Sequence, residues 1–268
     1  EMECQKGMKQ STPWSGSDAL HPTKSSLSAY DQNEREHLFY AAEDRRDDPK
    51  ESFQLINSVL REQYDQWNTL CDVGCAAGDF LYYMQQENGQ RDGLTGIDSF
   101  DELLNTAKER VPECRFLKGD IWSGEGLPTD KFDVVCMSGV LSLFDDFKKP
   151  FEHLIKMTKP GGKILVVNPF NSRGCHVEHH YKINGELGRI VICSHQEIGQ
   201  WLKERGFMYE FIPFQIKSKL EENHENPLRT FTVPLKNGTN GIVNGVGIWF
   251  EQYLLKIDMM EEIPDEIL

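Results

Sequence analysis

Three histidines fall within five residues in the run NPFNSRGCHVEHHY: His176, His179 and His180, interleaved with Glu178 and followed by Tyr181. Imidazole changes charge near neutral pH, so the tract offers a general base, a pair of metal ligands, or polar groups that contact a substrate or only solvent. A metal would need carboxylates or further nitrogens converging from another element. No such set at ligand spacing stands elsewhere in the chain, so no metal is expected. Spacing does not choose among the remaining roles.

A second set of chemically useful side chains sits at the ends of short apolar runs. LCDVGCAAGDF carries Asp72 and then Gly74 and Gly78, and LTGIDSF, about two dozen residues on, carries Asp98. Neither glycine has a Cβ, so a ligand can approach the turn and the amides of the helix that follows. Alone, a glycine turn after a strand more often only makes the turn. A carboxylate at the tip of the next strand adds to it, because it is placed to accept hydrogen bonds from both hydroxyls of a ribose. Asp120 in RFLKGDIW and Asp133 in FDVVCMSGVLSLF extend the series, and KPGGKILVVNPF supplies a Pro-Gly-Gly turn and a fifth strand, Lys163 to Val167.

The elements that must position these groups are legible from periodicity. Glu51 to Gln63 spaces Phe53, Ile56, Val59 and Leu60 as a helix face, and Asn33 to Arg46 reads as an earlier helix stopped by Asp47-Asp48-Pro49. Asp101 to Arg110 and Phe147 to Thr158 read as covering helices. Ser194-His195-Gln196-Glu197 is a capping box opening a helix that ends at Gly206, which places His195 in a first turn facing solvent. Met208 to Ile216 and Gly247 to Ile257 read as strands with no crossover helix between them. The excursion Lys217 to Asn244 reads as an inserted hairpin, with RTFTVPL as a strand and Asn237-Gly238 and Asn240-Gly241 as turns. Within it Arg229 is either an anchor for an anionic acceptor or an ordinary edge-strand charge.

This order of strand-end signals resembles the class I S-adenosylmethionine-dependent methyltransferases from about Trp67 onward. The family's first motif, an acidic residue and three alternating glycines, is matched by Asp72, Gly74 and Gly78, with Ala76 at the middle glycine. The resemblance implies an α/β, Rossmann-like, doubly wound seven-stranded mixed sheet with an antiparallel last strand. It implies S-adenosylmethionine as cofactor and S-adenosylhomocysteine as product. By the same resemblance Asp72 and Gly74 hold the methionyl end, with Cys75, Ala76 and Gly78 completing the loop. Asp98 and the adjoining Ser99 meet the ribose, Asp120 and the Ile121 amide the adenine edge, and Met137 and Ser138 line the transfer site. The segment with His176, His179 and His180 would hang over the methyl group. Residues 1–28, polar and without periodicity, read as a mobile tail; the resemblance makes 29–66 cap helices, with Tyr30 and Asp31 either closing over the cofactor or exposed in a linker, and 67–268 the methyltransferase domain.

Other readings make distinct demands. A nicotinamide-dependent dehydrogenase wants glycines at the first, third and sixth positions of its loop, which this chain lacks. A cofactor-binding protein without turnover would tolerate substitution of the three histidines. Asn168-Pro169-Phe170 has the look of a base-gripping Asn-Pro-Pro-Phe element, but it lies after the fifth strand instead of the fourth; a proline ending that strand is the simpler reading. A net charge of −14 over 268 residues disfavours nucleic acid, whose nonspecific binding draws on lysine and arginine. With no apolar run of membrane length and no leader pattern, a cytoplasmic protein is expected, and the seven irregularly spaced cysteines read as reduced thiols. The expected acceptor is a small polar molecule, with an oxygen of a sugar or related metabolite foremost and a small amine as the alternative.

Overall fold

The computed structural model describes residues 40–64, 66–89, 93–183, 186–224, 226–264 and 267. The expectations for residues 1–28 and for Tyr30 and Asp31 lie outside them. Helix α1 (Glu51–Gln63) precedes strand β1 (Leu70–Val73), and α2 (Asp79–Asn88), β2 (Leu94–Asp98), α3 (Asp101–Arg110) and β3 (Arg115–Lys118) follow. Next come β4 (Phe132–Ser138), a 3₁₀ turn (Leu141–Leu143), α4 (Lys148–Met157) and β5 (Thr158–Asn171). Then β6 (Val177–Ile183), β7 (Glu186–Ser194), α5 (His195–Glu204) and β8 (Met208–Phe214) lead to β9 (Thr230–Pro234), β10 (Asn240–Asn244), β11 (Trp249–Phe250) and β12 (Gln252–Asp258).

Seven strands run in the order β3-β2-β1-β4-β5-β12-β8. β1, β2, β3, β4 and β5 pair in parallel, and β12 lies antiparallel between β5 and β8. Because parallel neighbours need covered crossovers, both faces are buried and the strands read as apolar runs. One face packs on α4 and α5 through Phe151, Leu154, Ile198 and Trp201; the other packs on α1, α2 and α3 through Ile56, Leu60, Leu81 and Leu104. Burying each such side chain stabilises the fold by about 1.5–3 kcal/mol. The reversal in order between β3-β2-β1 and β4-β5 opens the crevice above the strand ends where ligands bind in doubly wound sheets.

Several expectations are corrected. Strand β5 runs well beyond Lys163 to Val167, absorbing Pro160-Gly161-Gly162 as an irregularity opposite β4. Pro169 does not end it: Pro169 pairs with Gln252, and the strand continues to Asn171. The Asn33 to Arg46 helix is helical at 40–42 and has left the helix by Glu43. There the Arg110 guanidinium donates to the carbonyls of Ala41 (3.1 Å) and Glu43 (2.6 Å), a tertiary partner for helix-end acceptors that sequence periodicity cannot show. Asn240-Gly241 is strand, not turn; the indole of Trp249 covers Gly241, where a Cβ would stand 2.2 Å from the ring. The expected hairpin is present as the antiparallel pair β9 and β10, and β11, split from the expected Gly247 to Ile257 strand, extends it to a three-stranded sheet, β11-β10-β9. His195 does not face solvent. Its ring stacks on Phe211 at 3.9 Å and meets Tyr253 edge-on at 4.2 Å, and Nε2 is buried without a hydrogen bond, so burial pushes its pKa down. The capping Ser194 Oγ does accept from the Gln196 and Glu197 amides.

Candidate active site

The loop between β1 and α2 is held from behind. The Gly74 and Cys75 amides donate to Ile97 O (2.8 and 3.0 Å), which fixes the turn to the tip of β2. Gly74, Ala76 and Gly78 all have positive φ (76°, 47° and 86°), so the alternating left-handed geometry is kept although the middle residue is alanine. The glycines serve the protein's own packing. A Cβ on Gly74 would stand 2.3 Å from Val140 Cγ2, from the turn after β4. Gly96 is a signal that sequence reasoning missed. Its bare Cα admits Cys75 Sγ and the Phe116 ring, each 2.7 Å from where a Cβ would be.

The two expected cofactor carboxylates differ. Asp98 accepts from the Ala76 amide (2.9 Å) and the Phe100 amide (3.1 Å), so it organises the loop from the tip of β2. Asp72, near the end of β1, is 4% exposed. Burial, and next the charge of Asp98, push its pKa up to about 7, while Lys50 pulls the other way. A carboxylate buried this far, next to a second one, calls for a cationic partner. The α-ammonium of S-adenosylmethionine has the charge and the donors to meet it, so these residues fit that cofactor.

The other expected site residues flank the same crevice. Asp120 Oδ1 accepts from the Trp122 amide (2.8 Å), and His153 Nδ1 donates to Ile121 O (2.6 Å), holding this turn against α4. Met137 is wholly buried at the end of β4 and Ser138 is partly exposed beyond it. Ser99 is partly exposed beside Asp98, and Cys75 is buried with its thiol pushed well above the usual range by burial and the carboxylates. The six described cysteines are all free.

The histidine tract is strand from Val177 on, with His176 just before it, and this divides it. Strand alternation puts Val177, His179 and Tyr181 on one face and Glu178 and His180 on the other. Val177 and Ile190 pack against the cluster of Ile192, Ile242, Ile248 and Phe250, which joins β6 and β7 to the three-stranded sheet. His179 pairs with Ile190 in register and shares that face. His180 is exposed and lies 3.2 Å from Glu178. His176 stands between Glu178 (3.4 Å) and Glu197 (3.6 Å), so both its nitrogens face carboxylates. Arg189 of β7 donates to Leu143 O (3.4 Å) and Asp145 (2.7 Å), pinning the turn after β4 beneath the hairpin. Among the described residues no cluster of histidine, cysteine or carboxylate side chains could hold a metal ion.

The docking of the three-stranded sheet is what the sequence did not announce. One side rests on β6 and β7 through the Ile192 cluster. On the other side Asn240 Nδ2 donates to the carbonyls of Ile216 and Lys217 (3.2 and 3.1 Å), and the amides of Lys217 and Ser218 with Ser218 Oγ donate to Glu51, the first residue of α1 (2.6 to 3.0 Å). Arg229, just before β9, stands 3.8 Å from Glu43, whose carbonyl accepts from Arg110, and Arg110 lies 3.6 Å from Asp79, the first residue of α2. The sheet therefore bridges the hairpin and the residues beside the Gly74 loop.

The sheet order with its antiparallel β12, the loop and the two carboxylates define a class I methyltransferase fold. Residues 65–226 match the family model described as a methyltransferase domain, and the chain belongs to that family, whose class I members use S-adenosylmethionine. Among curated proteins it is similar to trans-aconitate 2-methyltransferases of Escherichia coli: 27% identical over 116 residues (43% of this chain and 45% of the relative) for the K12 strain protein, and 28% over 141 residues (53% and 52%) for an O157:H7 protein. The chain spans about half the length of the curated relatives it matches. Among solved structures, the S-adenosylmethionine-bound amino pentose methyltransferase of Micromonospora echinaspora superposes with a TM-score of 0.52 at 12% identity, covering 84% of this chain and 96% of that one. The YcgJ protein of Bacillus subtilis gives 0.51 at 14% identity, covering 79% and 99%. At these identities the likeness is one of fold. Among the described residues no helix is long and apolar enough to cross a membrane.

Proposed function

We propose that the protein transfers the methyl group of S-adenosylmethionine to a small polar acceptor, through an oxygen of a sugar or related metabolite. The observation that carries this is Asp72, a buried carboxylate near the end of β1, set with Asp98 against the left-handed Gly74-Ala76-Gly78 turn. When bound, the cofactor supplies a methyl group on a sulfonium, which already contains its leaving group. The chain's task is then to bind, align and exclude water. Asp72 takes the ammonium, Asp98 the ribose hydroxyls, and Asp120 with the Ile121 amide the adenine edge. Met137 and Ser138 at the end of β4, and the turn pinned by Arg189, form the floor beneath the acceptor. A hydroxyl acceptor must lose a proton, and we assign that role to His179, whose face of β6 is the one the three-stranded sheet adjoins. His176 and His180 are engaged with Glu178 and Glu197 on the other side.

The test combines binding with label transfer. Titration with S-adenosylhomocysteine should show binding that Asp98→Ala weakens by about 1.5–3 kcal/mol, the range for hydrogen bonds to a charged group. Methyl-labelled S-adenosylmethionine with fractionated cell extract should then place label in the sugar and small-metabolite fraction. Absence of S-adenosylhomocysteine binding refutes the cofactor assignment, and label confined to protein or nucleic acid refutes the acceptor class.

A further inference from the structure

We infer that His153 of α4 is a positioning residue for the base of the cofactor: it sets the peptide that follows Ile121, so that the turn after β3 accepts adenine and rejects a purine whose edge carries the opposite donors and acceptors. This deepens the methyltransferase reading above and rests on its assignment of Asp120 and the Ile121 amide to the adenine edge. That edge offers a 6-amino donor beside the N1 acceptor. A carboxylate and an amide N–H match it only when both are held in one orientation.

The peptide between Ile121 and Trp122 is clamped at both ends. Its N–H donates to Asp120 Oδ1 (2.8 Å), and its carbonyl accepts from His153 Nδ1 (2.6 Å). A carbonyl only accepts, so Nδ1 carries the proton. Because Asp120 is bonded to the N–H of the peptide that His153 holds, rotation of that peptide swings the carboxylate as well. Backbone bonds close the same turn: the Asp120 amide donates to Glu125 O (2.9 Å) and the Gly124 amide to Asp120 O (2.8 Å). The His153 ring is seated as well as bonded. Gly124 has a φ of 81°, and a Cβ on it would stand 2.8 Å from His153 Nε2 and 3.1 Å from Cε1, so the imidazole occupies space that any other residue there would fill.

The same stripe of α4 holds the Trp122 side chain. Lys149, one helical turn before His153, places Nζ 4.5 Å from the centroid of the indole, and Phe144 from the turn after β4 stacks on that ring at 5.3 Å and 12°. Phe151 and Leu154, which flank His153 along the helix, are wholly buried in the core, so α4 gives the turn a rigid reference. The bonds within the turn fix its shape; His153 fixes its orientation to the rest of the fold.

The experiment titrates the full chain and its variants with S-adenosylhomocysteine and with S-inosylhomocysteine, in which a 6-oxo group and an N1 proton replace the amino group and the N1 acceptor. The unsubstituted protein should prefer the adenine compound by about tenfold or more, since a site built to hydrogen-bond one edge leaves polar groups unpaired against the other. His153→Leu, which fills the seat without a donor, should weaken S-adenosylhomocysteine about five- to tenfold and leave S-inosylhomocysteine within about twofold, so that most of the preference disappears. His153→Asn, whose amide nitrogen stands where Nδ1 does, should return S-adenosylhomocysteine affinity to within about threefold of the unsubstituted protein and restore the preference. A purely structural role would lower the melting temperature and weaken both ligands alike. That result, or a His153→Leu protein that keeps the full preference, overturns the inference while the adenine assignment stands. An unsubstituted protein that binds both compounds equally refutes the assignment of Asp120 and Ile121, and one that binds neither refutes the cofactor reading; the inference falls with either.

Discussion

In the role proposed for it, Asp72 couples cofactor binding to a proton. Its pKa of about 7 in the free protein stands roughly three units above the ordinary value of 3.8, with burial as the main cause and Asp98 as the next. An ammonium needs the ionised carboxylate, so binding below pH 7 must first expel the proton. Relative to the plateau above pH 7, affinity for S-adenosylhomocysteine should be about tenfold lower at pH 6, or about 1.4 kcal/mol, and about thirtyfold lower at pH 5.5. The same group acts on stability with the opposite sense. A raised folded-state pKa means protonation favours the fold, so this contribution is fully present below about pH 4. It is lost as pH rises towards 7, and its total is on the order of 4 kcal/mol, reduced by relaxation. Calorimetric titration and thermal melts from pH 5 to 8 measure both effects. Asp72→Asn should flatten both slopes, raise ligand-free stability at pH 8, and weaken binding there. A flat binding profile, or an Asp72→Asn protein that keeps the slope, would refute the reasoning.

Ala76→Gly should stabilise the protein by about 1 kcal/mol in chemical denaturation, because Ala76 holds a left-handed backbone that glycine adopts without a Cβ penalty; a loss of stability would contradict that. Asp133 accepts from the Asn68 and Thr69 amides, Thr69 Oγ1 and Lys159, so Asp133→Ala should cost about 1.5–3 kcal/mol. These bonds hold its pKa down to about 2 against the effect of burial, so its contribution is present above about pH 4 and fades as pH falls towards 2, as acid-unfolding midpoints of the two proteins should show. His179→Ala should lower kcat on a hydroxyl acceptor by about 10²–10⁴-fold with cofactor affinity unchanged, whereas His176→Ala should change kcat only a few-fold. Equal losses in steady-state assays of the two variants would remove the distinction.

Much of the frame was decided locally and could be read locally. Glu51–Gln63 and Asp101–Arg110 are helices over the residues their apolar spacing marks, and β2 ends at the Asp98 that closes its apolar run. The strand-end carboxylates, the Gly74 turn and the antiparallel β12 follow from turn chemistry and from the lack of a crossover between the last apolar runs. These signals act over a few residues, so one chain suffices to show them.

Tertiary structure decided what each side chain meets. Spacing placed His176, His179 and His180 together, but the pairing of β6 with β7 sends His179 to one face and His180 to the other. Local rules put His195 in an open first turn, yet Phe211 and Tyr253 arrive from later strands and enclose it. Gly74 looked like an opening for ligand, whereas Val140, brought by β4, is what requires it bare. Arg229 read as an edge charge or an anchor, and only the docking of β9–β11 against Tyr40 and Glu43 set its surroundings. Periodicity records which face of an element avoids water; register and packing between distant segments determine which partner supplies the shelter.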